Sequence, residues 1–172
     1  MIRYTHFKFC PSCGGRKIGS FQEYGMRCED CGYQYFHNAA SAVSAIIKTQ
    51  RGIILIGRKH APRRGYLDLP GGFVGHGETL EEALQRETQE ELNLVVKNLR
   101  YFGSFPNRYD YNGVTYFTVD AIFTCKASSL RAMMPREEVS GISIRMPGEI
   151  DLRRLAFSSV RQALQKYGAG KG

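Results

Sequence analysis

The chain has 172 residues and a net charge of +8, with 42% apolar residues that include ten Phe and ten Tyr. That length suits one ordinary domain with a small appendage, and the composition excludes disordered, collagen-like and membrane-spanning classes. The basic balance favours anionic partners, although no Lys/Arg run stands out from scattered surface charge.

The N-terminus, "MIRYTHFKFC", lacks an apolar signal core, so a cytoplasmic protein is expected. Residues 1–36 form a first region, rich in glycine and aromatics and poor in aliphatic residues. It holds Cys10-x2-Cys13 in "CPSCGG" and Cys28-x2-Cys31 in "CEDCGY", separated by fourteen residues. Two Cys-x2-Cys turns offer four thiolates, the set a tetrahedral Zn²⁺ prefers, and a closed set of four makes the ion structural. Two disulfides are the alternative, and a reducing compartment disfavours them. A module of this size generally needs such a staple. The fifth cysteine, Cys125 in "VDAIFTC", reads as a small buried residue.

A second region, 37–168, opens with "SAVSAIIKT" and "GIILIGRK", two β-rich runs joined by "QRG" as a hairpin. Residues 60–78 read as a Gly/Pro-rich loop. A helix follows, with Thr79 as its cap, Glu82 completing a capping box, and Leu80, Ala83, Leu84, Thr88 and Leu92 on one side. "LVVKNLRYFGSF" and "VTYFTVDAIFTC" read as strands. Residues 104–111 are expected as a loop, and Asn112-Gly113 as a hairpin turn. "GISIRM" is another strand, and "SSVRQALQKYG" a terminal helix with a Ser cap and Gly168 as its stop. Residues 169–172 read as a flexible tail. Strands flanked by helices imply a mixed α/β layered domain.

The helix after residue 78 carries an unusual charge load. Glu78, Glu81, Glu82, Glu87, Glu90 and Glu91 fall in one short stretch of a basic chain. Residues three and four apart on a helix are neighbours, so Glu87, Glu90 and Glu91 share a face and repel one another. A hard divalent cation with oxygen ligands resolves that conflict. Arg86 sits four residues from both Glu82 and Glu90, within reach of either. A solvated acidic face is the plainer reading. The "LPGG" immediately upstream argues against it, because Gly71 and Gly72 let backbone come close to whatever the carboxylates hold.

Gly72, Glu78, Arg86-Glu87, Thr88, Gln89, Glu90-Glu91, Leu92, Asn93 and Leu94 closely resemble the Nudix box. The departures are Thr88, where an aliphatic is usual, and Asn93, where Gly is usual. "GYLDLPGGFV" resembles the family's lead-in. The resemblance implies a Nudix α/β/α sandwich, here preceded by a small zinc ribbon. It also implies hydrolysis of a nucleoside diphosphate linked to another group, with Mg²⁺ or Mn²⁺. It makes Glu87 and Glu91 the principal metal ligands and Glu90 an assistant, with Glu138 joining from a later loop and Glu137 as its alternative. An acidic residue is common in relatives where Gly141 stands. Glu90 or Glu138 is expected as the general base and Arg86 as a catalytic-site residue. His76 is a weaker candidate, more simply an exposed loop histidine.

A zinc ribbon before a Nudix domain resembles the NADH pyrophosphatase and ADP-ribose pyrophosphatase branch, whose members are commonly homodimers. That branch carries Ser-Gln-Pro-Trp after the box. Here Ser104 and Pro106 remain, but Phe105 replaces Gln and Asn107 replaces Trp, and the chain has no Trp. ADP-ribose-like and NADH-like compounds are therefore both expected substrates. Gly71, Gly72, Phe105, Arg108 and Tyr109 are the candidate substrate contacts, with Tyr111 beside them; the aromatics read equally well as packing on the sheet. Two other readings stand beside this one: hydrolysis at an RNA 5′ end, and a non-catalytic nucleotide sensor.

Overall fold

The computed structural model describes residues 7–136 and 138–170. The chain folds as two compact units, 1–39 and 40–172. In the first, β1 (Ile18–Phe21), β2 (Gly25–Cys28) and β3 (Gln34–Phe36) make an antiparallel three-stranded sheet in that order. Few aliphatic side chains are available to it. Its buried residues include Cys10, Met26 and Cys28, so the thiols themselves fill its centre.

The second unit is built on a seven-stranded mixed sheet. Its strands are β4 (Ala40–Thr49), β5 (Gly52–Arg58), β6 (Leu67–Asp68), β7 (Gly71–Phe73), β8 (Val96–Tyr111), β9 (Val114–Ala127) and β10 (Val139–Arg145). The order is β10-β5-β4-β9-β8, with β6 beside β5 and β7 beside β4. The β4–β5 hairpin expected at 49–52 is present but pairs only Lys48 with Ile53 and Thr49 with Gly52. Beyond that the strands diverge, and the freed edge of β4 takes up β7, from Ala42–Phe73 to Ser44–Gly71. The other edge of β4 runs parallel to β9 from Ala40 to Lys48.

Two helices cover the sheet, α1 (Leu80–Leu92) and α2 (Ser158–Gly168). Strand alternation sorts the core into two layers. Val43, Ala45, Ile47, Ile54, Ile56, Ala121 and Phe123 pack with Ala83, Leu84 and Leu92 of α1. Ile46, Ile53, Leu55 and Ile122 pack with Val160, Ala163 and Leu164 of α2. Burial on both faces explains why β4 and β5 read as almost continuous apolar runs. Cys125 lies in the α1 layer, and burial pushes its thiol up to about 12.

The ends of α1 follow the sequence closely. Thr79 caps it, its hydroxyl accepting from the Glu82 amide while the Glu82 side chain accepts from the Thr79 amide. Asn93 closes it in the left-handed conformation, φ 55°. Asn112 and Gly113 both have positive φ and turn β8 into β9.

Two expectations need correction. Residues 104–111 are strand, not loop: β8 continues to Tyr111, paired with β9 throughout. Pro106 is accommodated because β8 lies at the edge of the sheet. At α2 the cap position is Phe157, with no side-chain cap, and Gly168 is the last helical residue. Ser158 and Ser159 lie inside the helix and spend their hydroxyls on Asn107 and Asp120.

Candidate active site and thiolate cluster

The glutamate helix borders a cleft of about 310 Å³ in the second unit. Glu87, Glu90, Glu91 and Glu138 line it together with Gly71 and Gly72, and so do Asp68, Asp120 and Arg58. Six carboxylates thus face one small space.

Arg86 organises the outer part of this set. Its Nε donates to Glu78 Oε1 at 2.6 Å and its Nη2 to Glu78 Oε2 at 3.0 Å. Its Nη1 reaches Glu87 Oε1 at 2.8 Å and Glu90 Oε2 at 3.0 Å, and Nη2 also donates to the Phe73 carbonyl at 3.0 Å. Of the two partners expected for Arg86, Glu90 is one; Glu82 is held by Thr79 instead. The Arg86 fork holds the Glu78 carboxyl down to about 2, helped by the Gly75 amide.

Glu91 has a different environment. It is 9% exposed, and its Oε2 accepts from the Gly71 amide at 2.9 Å. Burial pushes its carboxyl up to about 8, with Glu87, Asp68 and Glu138 adding repulsion against that one amide. Burial raises Glu87 as well, against the pull of Arg86. Gly71 is required by the backbone beside it, and a side chain at Gly72 would push the Glu87 carboxylate aside. A Cβ on Gly71 would fall 2.1 Å from the Val43 carbonyl oxygen, and one on Gly72 would fall 2.4 Å from Glu87 Oε1.

Glu138 is brought alongside by the chain that precedes β10. That segment hangs from the end of α1, with Met134 N donating to Leu92 O at 3.1 Å and Arg136 N to Glu91 O at 3.0 Å. Glu137, the alternative, lies outside the described residues. His76 is exposed in the box loop and does not line the cleft.

The expected substrate contacts are spread along and across β8. Tyr109 lines the cleft with Asn107. Phe105 packs into the α2 layer beside Phe102. Arg108 is exposed, bonded to Asp110 Oδ1 at 3.1 Å, and lines a neighbouring pocket. Tyr111 tilts against Tyr109, 6.2 Å between ring centroids.

Sequence reasoning missed the inner wall. Asp68 is buried, pairs with Arg58 Nη1 at 3.1 Å and is pushed up to about 6 by burial despite that partner. Arg58 also lies over the Phe157 ring at 4.9 Å. Asp120 is buried and accepts from Thr118 Oγ1 at 2.6 Å and from Ser159 Oγ. The available signal was a single acid in each apolar run, "YLDLP" and "TVDAIF".

In the first unit, Cys10, Cys13, Cys28 and Cys31 bring their sulfurs within 4.8 Å of one another. Among the described residues this is the only such compact group of potential metal ligands. All four thiols are free of disulfides. Cys10–Cys31 and Cys13–Cys28 sulfurs are 3.7 Å apart. A tetrahedron with metal–sulfur bonds of ~2.3 Å has edges of ~3.8 Å, so the cage has the size of a tetrahedral thiolate site. The Ser12 and Gly15 amides point at the Cys10 and Cys13 sulfurs, each at 3.4 Å.

The carboxylate set differs from this cage in chemistry as well as spread. It offers only hard oxygen donors, some of them buried against like charge. That suits Mg²⁺ or Mn²⁺ rather than a thiophilic ion.

A mixed sheet between two helical layers, with a loop–helix of glutamates at the cleft, defines the Nudix fold. The NUDIX domain family profile matches residues 37–165. Curated relatives include the NAD-capped RNA hydrolase NudC of Vibrio cholerae, 34% identical across 69% of this chain and 45% of that protein. The protein of the same name from Haemophilus influenzae is 36% identical, across 69% and 47%. The chain thus spans less than half the length of either. A solved NUDIX hydrolase from Nitrosomonas europaea superposes with a TM-score of 0.77 at 26% identity, covering 96% of this chain and 92% of that one. The chain belongs to the Nudix family. No described helix is long and apolar enough to cross a membrane.

Proposed function

We propose that the protein is a metal-dependent pyrophosphohydrolase that cleaves the diphosphate linkage of a nucleoside diphosphate derivative, ADP-ribose-like or NADH-like. The observation that carries this reading is the carboxylate cleft itself, in which Arg86 and the Gly71 amide fix the box glutamates opposite Glu138. Glu87, Glu90, Glu91 and Glu138 would hold Mg²⁺ or Mn²⁺, which when bound neutralises phosphate charge and activates a water for in-line attack on phosphorus.

The protein's own groups divide the remaining work. Arg86 bridges Glu78, Glu87 and Glu90 and fixes the orientation of their carboxylates. The Gly71 amide orients Glu91. Glu138 is the better general base of the two candidates. Arg86 already occupies Glu90 Oε2, whereas no described residue hydrogen-bonds or ion-pairs with the Glu138 carboxylate. Tyr109, Phe73 and Phe157 supply an aromatic wall for the nucleoside, with ring centroids 5.6–5.7 Å apart. In the first unit the four cysteines would hold Zn²⁺ as a structural ion.

Hydrolysis of NADH, ADP-ribose and a nucleoside triphosphate with Mg²⁺ tests the reading. Cleavage between the phosphates of the first two, at comparable kcat/KM, is expected. A strong preference for the triphosphate overturns the substrate assignment. A second reading, action on an NAD-type cap at an RNA 5′ end, is supported by the names of the two curated relatives and by the +8 charge. Steep salt dependence with capped RNA, absent with free dinucleotides, would select it. We also propose a homodimer, on family resemblance alone. A monomer mass independent of concentration would exclude it.

A further inference from the structure

A second pocket, also of about 310 Å³, adjoins the cleft and shares Asn107 and Phe157 with it. Its lining includes Arg63, Arg108 and Arg161, with Asp110 as its one acid. Arg108 is already paired with Asp110, so Arg63 and Arg161 leave the pocket with an excess of positive charge.

The pocket is tied mechanically to the cleft. Arg58, a wall of the cleft, donates from Nε to the Pro62 carbonyl at 2.9 Å, and Pro62 lines the pocket. Ser158 Oγ donates to Asn107 Oδ1 at 3.1 Å across the boundary. Arg161 is steadied by a bond from Nη1 to the Leu155 carbonyl at 3.2 Å. Arg63 holds a left-handed backbone, φ 65°, where a glycine or asparagine would be less strained. Guanidinium groups present forked donors that match phosphate oxygens.

We propose that this pocket is a phosphate subsite, which takes a phosphate ester carried by the nucleotide whose 5′-phosphate lies in the catalytic cleft. The proposal deepens the diphosphate-cleaving reading above and rests on it. It adds Arg63 and Arg161 to the groups that select substrate. The chemistry is the same whether the phosphate belongs to a phosphorylated ribose or to the first linkage of an RNA chain. Either way the preferred substrate bears a phosphate beyond the scissile pair.

Three ligands without a phosphoanhydride allow the test at saturating Mg²⁺ with no turnover: adenosine 5′-monophosphate, adenosine 2′,5′-bisphosphate and adenosine 3′,5′-bisphosphate. Calorimetric titration of the full-length protein should show at least one bisphosphate binding about tenfold or more tighter than the monophosphate. A 3′ preference identifies an RNA-like continuation, and a 2′ preference a phosphorylated dinucleotide. The double variant Arg63→Glu/Arg161→Glu should bring that advantage to within about twofold while monophosphate binding changes less than about threefold. Arg63→Gln alone, at an exposed loop residue, should lose part of the advantage with an unchanged melting temperature. Arg153→Glu alters charge at an exposed arginine that does not line the pocket, and should keep the advantage. Equal binding of all three ligands to the wild type, or equal loss in the Arg153 variant, overturns the subsite. Hydrolysis of ADP-ribose is scored separately: its absence overturns the diphosphate reading, whereas the binding difference decides the subsite without catalysis.

Discussion

The Gly71 amide donates to Glu91 Oε2 at 2.9 Å, joining β7 to a buried carboxylate on α1. Gly71 stands at φ 149°, and a Cβ there would meet the Val43 carbonyl oxygen at 2.1 Å. Gly71→Ala must therefore displace β7 from β4 or abandon its backbone conformation. A loss of ~2–4 kcal/mol in stability is expected, with most of the activity lost as Glu91 shifts. Urea unfolding measures the first effect, and a variant as stable as the wild type would contradict the account.

Glu91 makes metal-free stability depend on pH in a defined direction. Its carboxyl rises from 4.5 to about 8 on folding, chiefly through burial. The folded state therefore holds this proton more tightly than the unfolded state. The stability so gained is present below 4.5 and is lost as pH rises to about 8. With a chelator present, the protein should be less stable at pH 8.5 than at pH 5, by a few kcal/mol at most, on the order of the linkage from such a shift. Glu78, held down from 4.5 to about 2, stabilises the fold above 4.5 and loses that contribution only as pH falls toward 2, outside this window. Glu91→Gln should flatten the profile, and added Mg²⁺ should do the same in the wild type. An unchanged slope in Glu91→Gln would show that other groups dominate.

Arg86 holds two carboxylates through one nitrogen while gripping a third bidentately. Lysine keeps the charge but not the fork. Arg86→Lys should weaken divalent metal affinity by about 10–100-fold, the range seen when groups supporting metal ligands are removed. Metal titration followed by activity, and directly by calorimetry, checks this. Affinity within about twofold of wild type would mean that Arg86 does not position the ligands.

Most of this site was readable because its parts are local in sequence. A capping box, a helical spacing and a Gly-Gly pair all lie between residues 71 and 93, and the structure places Glu87, Glu90 and Glu91 along one cleft. The inner wall was not readable in the same way. Asp68 and Asp120 meet the cleft through strand pairing with β5 and β4, which no short window records. The expected loop at 104–111 failed for a related reason. Pro106 and the polar residues around it suggest a break, but an edge strand tolerates both, and pairing with β9 imposes extension. Phe105 and Tyr109 share one face of β8, and only their positions along the strand put Phe105 under α2 and Tyr109 at the cleft, which spacing alone does not assign.

The thiolate cage makes a separable prediction. Cys13–Cys28 and Cys10–Cys31 sulfurs at 3.7 Å match the edges of a tetrahedral thiolate site. Elemental analysis should find one zinc per chain. Cys28→Ser should release it and unfold the first unit, because Cys28 is fully buried and few aliphatic side chains surround it. The melting transition of the second unit should persist, since its core is its own. Full zinc retention in Cys28→Ser would refute four-thiolate binding.

The buried pair of Asp120 and Ser159 decides whether α2 is seated by polar contacts or by packing alone. Asp120 lies on β9 at 6% exposure, and Ser159 in the first turn of α2 is fully buried. Ser159 Oγ donates to Asp120 Oδ2, and Thr118 Oγ1 donates to Oδ1 at 2.6 Å. Ser159→Ala removes one donor from a carboxylate that water cannot reach freely, which costs ~1–3 kcal/mol. Asp120→Asn keeps the shape but replaces an acceptor by a donor, so it should cost at least as much. If the two groups act as one unit, the double variant should fall short of the summed losses by ~1–3 kcal/mol, the range for residues in direct contact. Denaturant unfolding of the four proteins gives that coupling. Because Asp120 also lines the cleft, KM should be followed in the same set. A stability loss with unchanged KM assigns the pair to seating α2. A KM change in Asp120→Asn that Ser159→Ala does not share would instead place the carboxylate against the substrate. Strict additivity of the two stability losses would remove the unit altogether.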